Sequence, residues 1–413
     1  MVAPHYVSFA LSTVAEHRTT ISIPHRFESS ASENQESMLK TELAPAMSDN
    51  SNLNNTFNHS HELNLDKFRD IEDIYCDAQE RNIKKIKLVS LFCGAGGLDW
   101  GFKKAGFKTA IAFDFNKSAV DSFNKNHPGN VAKVVDIEKT GALGILELVR
   151  KKIKPGSDIA IIGGPPCQGF SLANVGSKAC DPRNSLPRTY LEIVKELMVE
   201  FKVHFLLIEN VSGIKAEKHA KTFDGIIQGI KELGLVPHYD ILNAAHYGVP
   251  QVRKRMILVG ARPYISKNFS FPVKKMKFRT VRQTIENFPE PVFFERTEKV
   301  KPSDFHPNHW TMKPRSEKFH SAYVAPANSR SFKRIAWDLP SKTIAFGNRE
   351  ILVHPLGHRR LSIYEAMRLQ GFPETFSLVG TLSAQVTQVS NAVPPPMAKS
   401  IALSLKRAIL SNA

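Results

Sequence analysis

From residue 86 onward the apolar residues come in short runs, at 86–92, 109–115, 158–162, 204–208 and 255–260. Stretches with a different, helical spacing separate them. Tyr190, Ile193, Leu197 and Phe201 form one such stripe, opened by Pro187. Phe223, Ile226, Ile227, Ile230 and Leu233 form another, with Gly234 placed to cap its carboxyl end. Strand-length runs alternating with helices predict an α/β fold with a largely parallel sheet covered on both faces. The carboxyl ends of four runs carry chemistry: Gly94-Ala95-Gly96-Gly97, Asp114, Pro165-Pro166-Cys167 and Glu209-Asn210. Open α/β sheets bind ligands at that edge, so these groups are expected to share one crevice.

Two regions break the alternation. Residues 1–60 are rich in Ser, Asn, Thr and Glu and are expected to be disordered, and one amphipathic helix is predicted over 63–78. Residues 263–342 carry many prolines, scattered Phe and Trp310, but no periodicity. The expected organisation is therefore a polar extension over 1–82, a catalytic domain made of 83–262 plus 343–413, and an inserted module over 263–342. No internal repeat is visible.

Charge sharpens this division. The chain carries a net +17 over 413 residues, yet residues 1–80 hold 13 Asp/Glu against 5 Lys/Arg. The body is correspondingly more basic, and residues 271–335 alone hold 14 Lys/Arg against 6 Asp/Glu. Such a balance suits a polyanionic partner, because neutralising phosphates dominates nucleic-acid affinity. The four cysteines form no CxxC pair and no zinc spacing, so neither a disulfide framework nor a metal site is expected. With no apolar stretch near the ~20 residues of a membrane span, a cytoplasmic, nucleoid-associated chain is expected.

Cys167 is the sharpest chemical signal. Pro165 and Pro166 preset the backbone before it, while Gly163, Gly164 and Gly169 permit close approach, so a thiol sits on a rigid turn at a strand end. In the first run, Phe92 leads into Gly94, Gly96 and Gly97, and Asp114 follows Gly94 by twenty residues, a spacing that matches a nucleoside site. Asp136, after Val134-Val135, reads either as an acceptor for an adenine amino group or as an exposed strand-end carboxylate. Cys93 is read as packing.

In order, the blocks SLFCGAGGLDWGF (90–102), GGPPCQGFS (163–171), DPRNSL (181–186), ENV (209–211), YGVPQVRKR (247–255), RRLSIYEAMRLQGFP (359–373) and NAVPP (391–395) resemble the DNA (cytosine-5) methyltransferase family. The resemblance covers residues 86–413 apart from the basic module. It implies a Rossmann-like class I methyltransferase sheet with a smaller inserted DNA-recognition domain, S-adenosylmethionine as cofactor and double-stranded DNA as partner. It further implies Cys167 as nucleophile, Glu209 at the exocyclic amine and ring nitrogen 3, Arg255 at the ring carbonyl, and Arg253 with Arg255 as sources of positive potential. Gln168, Ser171 and Arg183 would face DNA. Phe92 and Phe115 would flank the adenine, Gly94, Gly96 and Gly97 would face the donor, Asp114 would take its ribose, and Asn391 and Ala392 would return beside the glycine loop. Ser390 stands where the family usually has Gly. A monomer is expected, with a cognate restriction endonuclease by analogy. Two other readings stay open: a transfer-RNA branch of the same enzymes, whose Cys-Phe-Thr signature is absent here, and a non-catalytic DNA-binding protein.

Overall fold

A computed structural model describes residues 83–166, 186–295, 301, 303–319, 332–344 and 352–411. Seven strands form one sheet: β1 (Lys87–Leu91), β2 (Lys108–Asp114), β3 (Ala132–Val134), β4 (Asp158–Gly163), β5 (Lys202–Val211), β6 (Val236–Asn243) and β7 (Lys254–Ala261). Their order is β3-β2-β1-β4-β5-β7-β6. Strands β1 to β5 pair in parallel, and β7 runs antiparallel to both of its neighbours. The chain order reverses between β1 and β4, the place where open α/β sheets form a crevice.

Each predicted run lies on a strand, but the 255–260 run points opposite to the others. The reason is its connection. No crossover helix stands between β6 and β7, only the 3-10 turn Ala244–Tyr247 and a short loop, and such a connection returns the chain antiparallel. The reversal has a chemical consequence: the amino end of β7, with Arg253 and Arg255, comes to the same edge as the carboxyl ends of β1, β2, β4 and β5.

Alternation along the strands divides the core in two. Leu88, Ala160, Ile162, Phe205, Leu207, Ile257 and Val259 point to one face, covered by helices Gly97–Lys104 and Pro395–Leu410. Val89, Leu91, Ile159, Ile161, Leu206, Ile208, Met256 and Leu258 point to the other, covered by Ile137–Arg150, Leu186–Glu200 and Ala220–Glu232. The last of these ends as its sequence predicts, with Gly234 at φ 70°. The first two helices touch closely, since a methyl on Gly101 would lie 2.4 Å from Ala398 Cβ.

A third cluster gathers Val281, Ile285, Phe294, Trp310, Ile335, Leu361, Ile363, Met367, Leu369, Phe372 and Phe376. Its strands are two or three residues long. Polar anchors hold it instead. Buried Arg359 grips both Glu365 oxygens at 2.9 Å, and Glu365 closes a capping box with Ser362 at the start of helix Ile363–Leu369. The extension 1–82, with its expected disorder and helix, lies outside the described residues.

Candidate active site

The glycine loop leaves β1 through two unusual conformations, Phe92 at φ 54° and Gly94 at φ 53°, followed by Gly96 at φ 88°. At Gly94 a side chain would meet nothing within 4 Å, so its backbone faces open space. The loop is pinned by Asp114, whose two carboxylate oxygens accept from the amides of Gly94 (2.8 Å) and Asn116 (2.9 Å). Burial raises the Asp114 pKa, and these amides oppose the shift. Next to it Phe115 is 67% exposed, a free aromatic face at the rim. Below the loop, a methyl on Gly96 would lie 2.6 Å from His127 Nε2, and burial brings the pKa of His127 down to about 4, keeping the imidazole neutral.

The chain's far end closes this side. A methyl on Gly97 would lie 2.4 Å from the Val393 carbonyl, so the 391–393 segment rests directly on the loop. Asn391 ends helix Leu382–Asn391 and is exposed, with Ala392 half-buried after it. Asp136 is the N-cap of Ile137–Arg150, accepting from the Lys139 amide and pairing with its ammonium at 3.1 Å, which lowers the Asp136 pKa.

The other half of the crevice is built by β4, β5 and β7. Gly164 follows β4, and a methyl there would sit 3.2 Å from Glu209 Oε2, so the Pro165-Pro166 turn starts against the Glu209 side chain. Glu209 and Arg255 are diagonal neighbours, since Glu209 pairs with Ile257 and Val211 with Arg255. Arg255 Nε stands 3.0 Å from Glu209 Oε1. The ion pair reaches that buried oxygen, which accepts no aligned hydrogen bond among the described residues. Such an atom is expensive unless a ligand completes it. Arg253 is buried beside the pair. It donates to the carbonyls of Ser390 (2.8 Å) and Ile344 (3.4 Å), and burial followed by the charge of Arg255 brings its pKa down to about 9, against the pull of Glu209.

One edge of the sheet therefore carries an open glycine loop with a carboxylate and an exposed aromatic, and also a buried carboxylate ion-paired with a guanidinium. Residues 86–407 match the family described as C-5 cytosine-specific DNA methylase. The chain belongs to that family. It is 34% identical over 344 residues to the type II methyltransferase M.MthTI of Methanothermobacter thermautotrophicus, spanning 78% of this chain and 97% of that one. To the type II methyltransferase M.FnuDI of Fusobacterium nucleatum it is 31% identical over 350 residues, spanning 78% and 95%. In fold it is similar to a prophage-encoded chain of E. coli described as a DNA modification methyltransferase, with a TM-score of 0.62, 24% identity and coverage of 78% and 99%. The enzyme is a DNA cytosine-5-methyltransferase of the restriction-modification type.

Within this methylase, Cys167, Gln168, Ser171 and Arg183 lie outside the described residues. The structure brings Phe92, Gly94, Gly96, Gly97, Asp114 and Phe115 together at one half of the crevice and Glu209, Arg253 and Arg255 at the other. Cys93 is buried, and burial together with Asp114 and Asp99 raises its pKa well above the usual range, in keeping with a packing role. Two residues with no role assigned from sequence stand out. Gln251 and Gln370 are fully buried and bonded to each other. The signal was present in the alternation Gln251, Arg253, Arg255, which puts three polar side chains on one face of an extended segment. Asp99 carries no distinguishing sequence signal; it is buried, accepts from Ser90 Oγ (2.9 Å) and Thr109 Oγ1 (2.8 Å), and is pushed up to about 6 by burial.

Proposed function

We propose that the enzyme moves a methyl group from S-adenosylmethionine to carbon 5 of a cytosine turned out of duplex DNA, through a transient bond to Cys167. The observation that carries this is the buried Glu209–Arg255 ion pair, whose Oε1 accepts no aligned hydrogen bond among the described residues, beside the strand end that leads into Pro165-Pro166-Cys167.

Carbon 5 is a weak nucleophile while the ring is aromatic. Addition of the Cys167 thiolate to carbon 6 breaks that aromaticity and leaves an electron-rich carbon 5. A free thiol near pKa 8.5 is only partly ionised at neutral pH, so the cations of Arg253 and Arg255 favour the reactive form. Glu209 bonds the exocyclic amine and supplies the proton that ring nitrogen 3 gains as the sulfur adds, and Arg255 takes the carbonyl oxygen at ring position 2. Carbon 5 then accepts the methyl group that the bound donor supplies as a sulfonium. A base then takes the carbon 5 proton as the sulfur leaves as thiolate, and ring nitrogen 3 returns its proton to Glu209, which restores the aromatic ring and the starting enzyme. None of these atoms is reachable in a stacked duplex, hence the flipped base.

The donor half fits this chemistry. Gly94 allows close approach, Asp114 retains lone pairs for ribose hydroxyls, Phe92 and Phe115 offer aromatic faces, Asp136 a carboxylate for the adenine amine, and Asn391 and Ala392 close the floor. Gln168, Ser171 and Arg183 would hold the strand around the flipped nucleotide. Residues 263–342 would read the duplex. Supporting this, the segment from Val273 to Arg279 is exposed throughout and is tied to the crevice edge by Lys275 N to His246 O (3.0 Å), His246 Nδ1 to Lys275 O (3.1 Å) and Tyr247 Oη to Pro272 O (3.2 Å). It presents Lys274, Lys275 and Lys277 to a phosphate backbone. The enzyme would act as a cytoplasmic, nucleoid-associated monomer that protects the site of a cognate endonuclease.

Bisulfite sequencing of DNA from cells expressing the chain tests the reading. One short motif should be methylated by the wild type and none by Cys167→Ala; equal methylation by both would remove Cys167 from the reaction.

A further inference from the structure

Helix Leu382–Asn391 ends beside the glycine loop, and a helix end leaves its last carbonyls without intrahelical partners. Here side chains from two distant segments take them. Gln370 Nε2 donates to the Val389 carbonyl (3.2 Å) and the Ala392 carbonyl (2.7 Å), and Arg253 donates to the Ser390 carbonyl (2.8 Å). A cation there also complements the helix dipole. Gln370 Oε1 in turn accepts from Gln251 Nε2 at 2.6 Å. Gln251 Nε2 reaches the Leu369 carbonyl as well (3.4 Å), while its Oε1 accepts from the Ile344 amide (3.1 Å). Every polar atom of both amides is used, which leaves a single orientation for each. Both side chains are fully buried.

Between Gln251 and Arg255 the chain is extended, with Val252 and Lys254 exposed and Gln251 and Arg253 buried. The first of the three alternate side chains is bonded to the residue that holds the Ala392 carbonyl. The third stands 3.0 Å from Glu209. The floor of the donor half and the guanidinium of the cytosine half are thus fastened to the same five residues.

We propose that Gln251 and Gln370 are positioning residues that join the two half-sites: their amide bond sets the 389–392 turn against the segment bearing Arg253 and Arg255, so that donor and target base strengthen each other's binding. This rests on the function proposed above. Coupling between sites is reciprocal and usually amounts to a 5- to 150-fold change in affinity.

The test uses the full chain and a fluorescent duplex carrying the motif mapped by bisulfite sequencing. Duplex affinity is measured with and without saturating S-adenosylhomocysteine, and affinity for S-adenosylhomocysteine with and without duplex. The wild type should show the same factor, about tenfold, in both directions. Gln370→Met and Gln251→Met should each bring it to within about twofold of unity, and the double variant should go no further. Gln251→Met leaves the Val389 and Ala392 carbonyls bonded, so it still reads the coupling if Gln370→Met fails to fold. Variants that keep the wild-type factor while only their melting temperature falls would show a merely structural clasp and overturn the proposal. A wild type that binds both ligands without mutual effect would overturn it too, whereas a wild type that binds no S-adenosylhomocysteine would overturn it together with the function it rests on.

Discussion

Asp114 and Glu209 sit at the ends of two strands of one sheet, at the same edge, and each is 8% exposed. Burial does not distinguish them, but their partners do. Asp114 spends an oxygen on each of two backbone amides and so fixes a loop. Glu209 is ion-paired with the Arg255 guanidinium at 3.0 Å, and the paired oxygen accepts no aligned hydrogen bond among the described residues. The first carboxylate holds backbone in place, and the second is held against a charged side chain. The glycine-loop side of the crevice is accordingly organised by backbone and glycine, and the Glu209 side by charged side chains.

Replacing each carboxylate by its amide separates the two roles most strongly. Glu209→Gln should lower kcat by about 10²- to 10⁴-fold, the range for a positioned proton donor, with the melting temperature nearly unchanged. Single-turnover methylation of a tritiated-donor assay measures this. Asp99→Asn probes the bonds that tie helix Gly97–Lys104 to β1 and β2. The folded pKa of Asp99 stands at about 6, above its usual value, so its contribution to stability is full below about pH 4 and is lost as pH rises through 6. An upward shift of roughly two units corresponds to about 3 kcal/mol. The variant, which keeps partners for Ser90 and Thr109, should therefore gain on the wild type in thermal melts between pH 4 and pH 7.

Asp114→Asn should cost about 1–3 kcal/mol of stability by leaving a backbone amide facing a donor, and raise KM for the donor more than it lowers kcat. A fall in kcat as deep as that of Glu209→Gln would erase the contrast between the halves. The smallest effect on turnover should come from Lys274→Gln, Lys275→Gln and Lys277→Gln combined. The slope of log affinity against log salt should flatten by about 2.7 for three lost phosphate contacts, equally for cognate and unrelated duplex. An unchanged slope would place the DNA elsewhere.

How much of this was legible in the sequence follows from where order is carried. The strands buried on both faces announce themselves as unbroken apolar runs, as do the helices by their stripes. β3 is too short to show a period, and β6 lies at the sheet's edge with Pro237 and polar residues in it, so neither had a signal. The direction of β7 was hidden because a run of apolar residues has no polarity of its own; only the missing crossover helix before it gives the direction. Ser390, the departure from the family's usual Gly, proves conformationally ordinary. It is helical, and its Oγ donates to the Val386 carbonyl at 2.9 Å, so no left-handed backbone is demanded there. The residues near 344 and 370 were least legible, since the bonds that give Gln251 and Gln370 meaning join positions 119 apart in the chain.

The central claim is that sulfur bonds to the pyrimidine ring before the methyl group moves. It is tested most directly with a duplex bearing 5-fluorocytosine at the mapped site, because fluorine cannot leave as a proton does and the ring stays attached to the protein. After incubation with the methyl donor, the wild type should give a protein–DNA species that survives denaturation and maps to Cys167, and Cys167→Ser should give none. No adduct with the wild type, or the same adduct with Cys167→Ser, would contradict it.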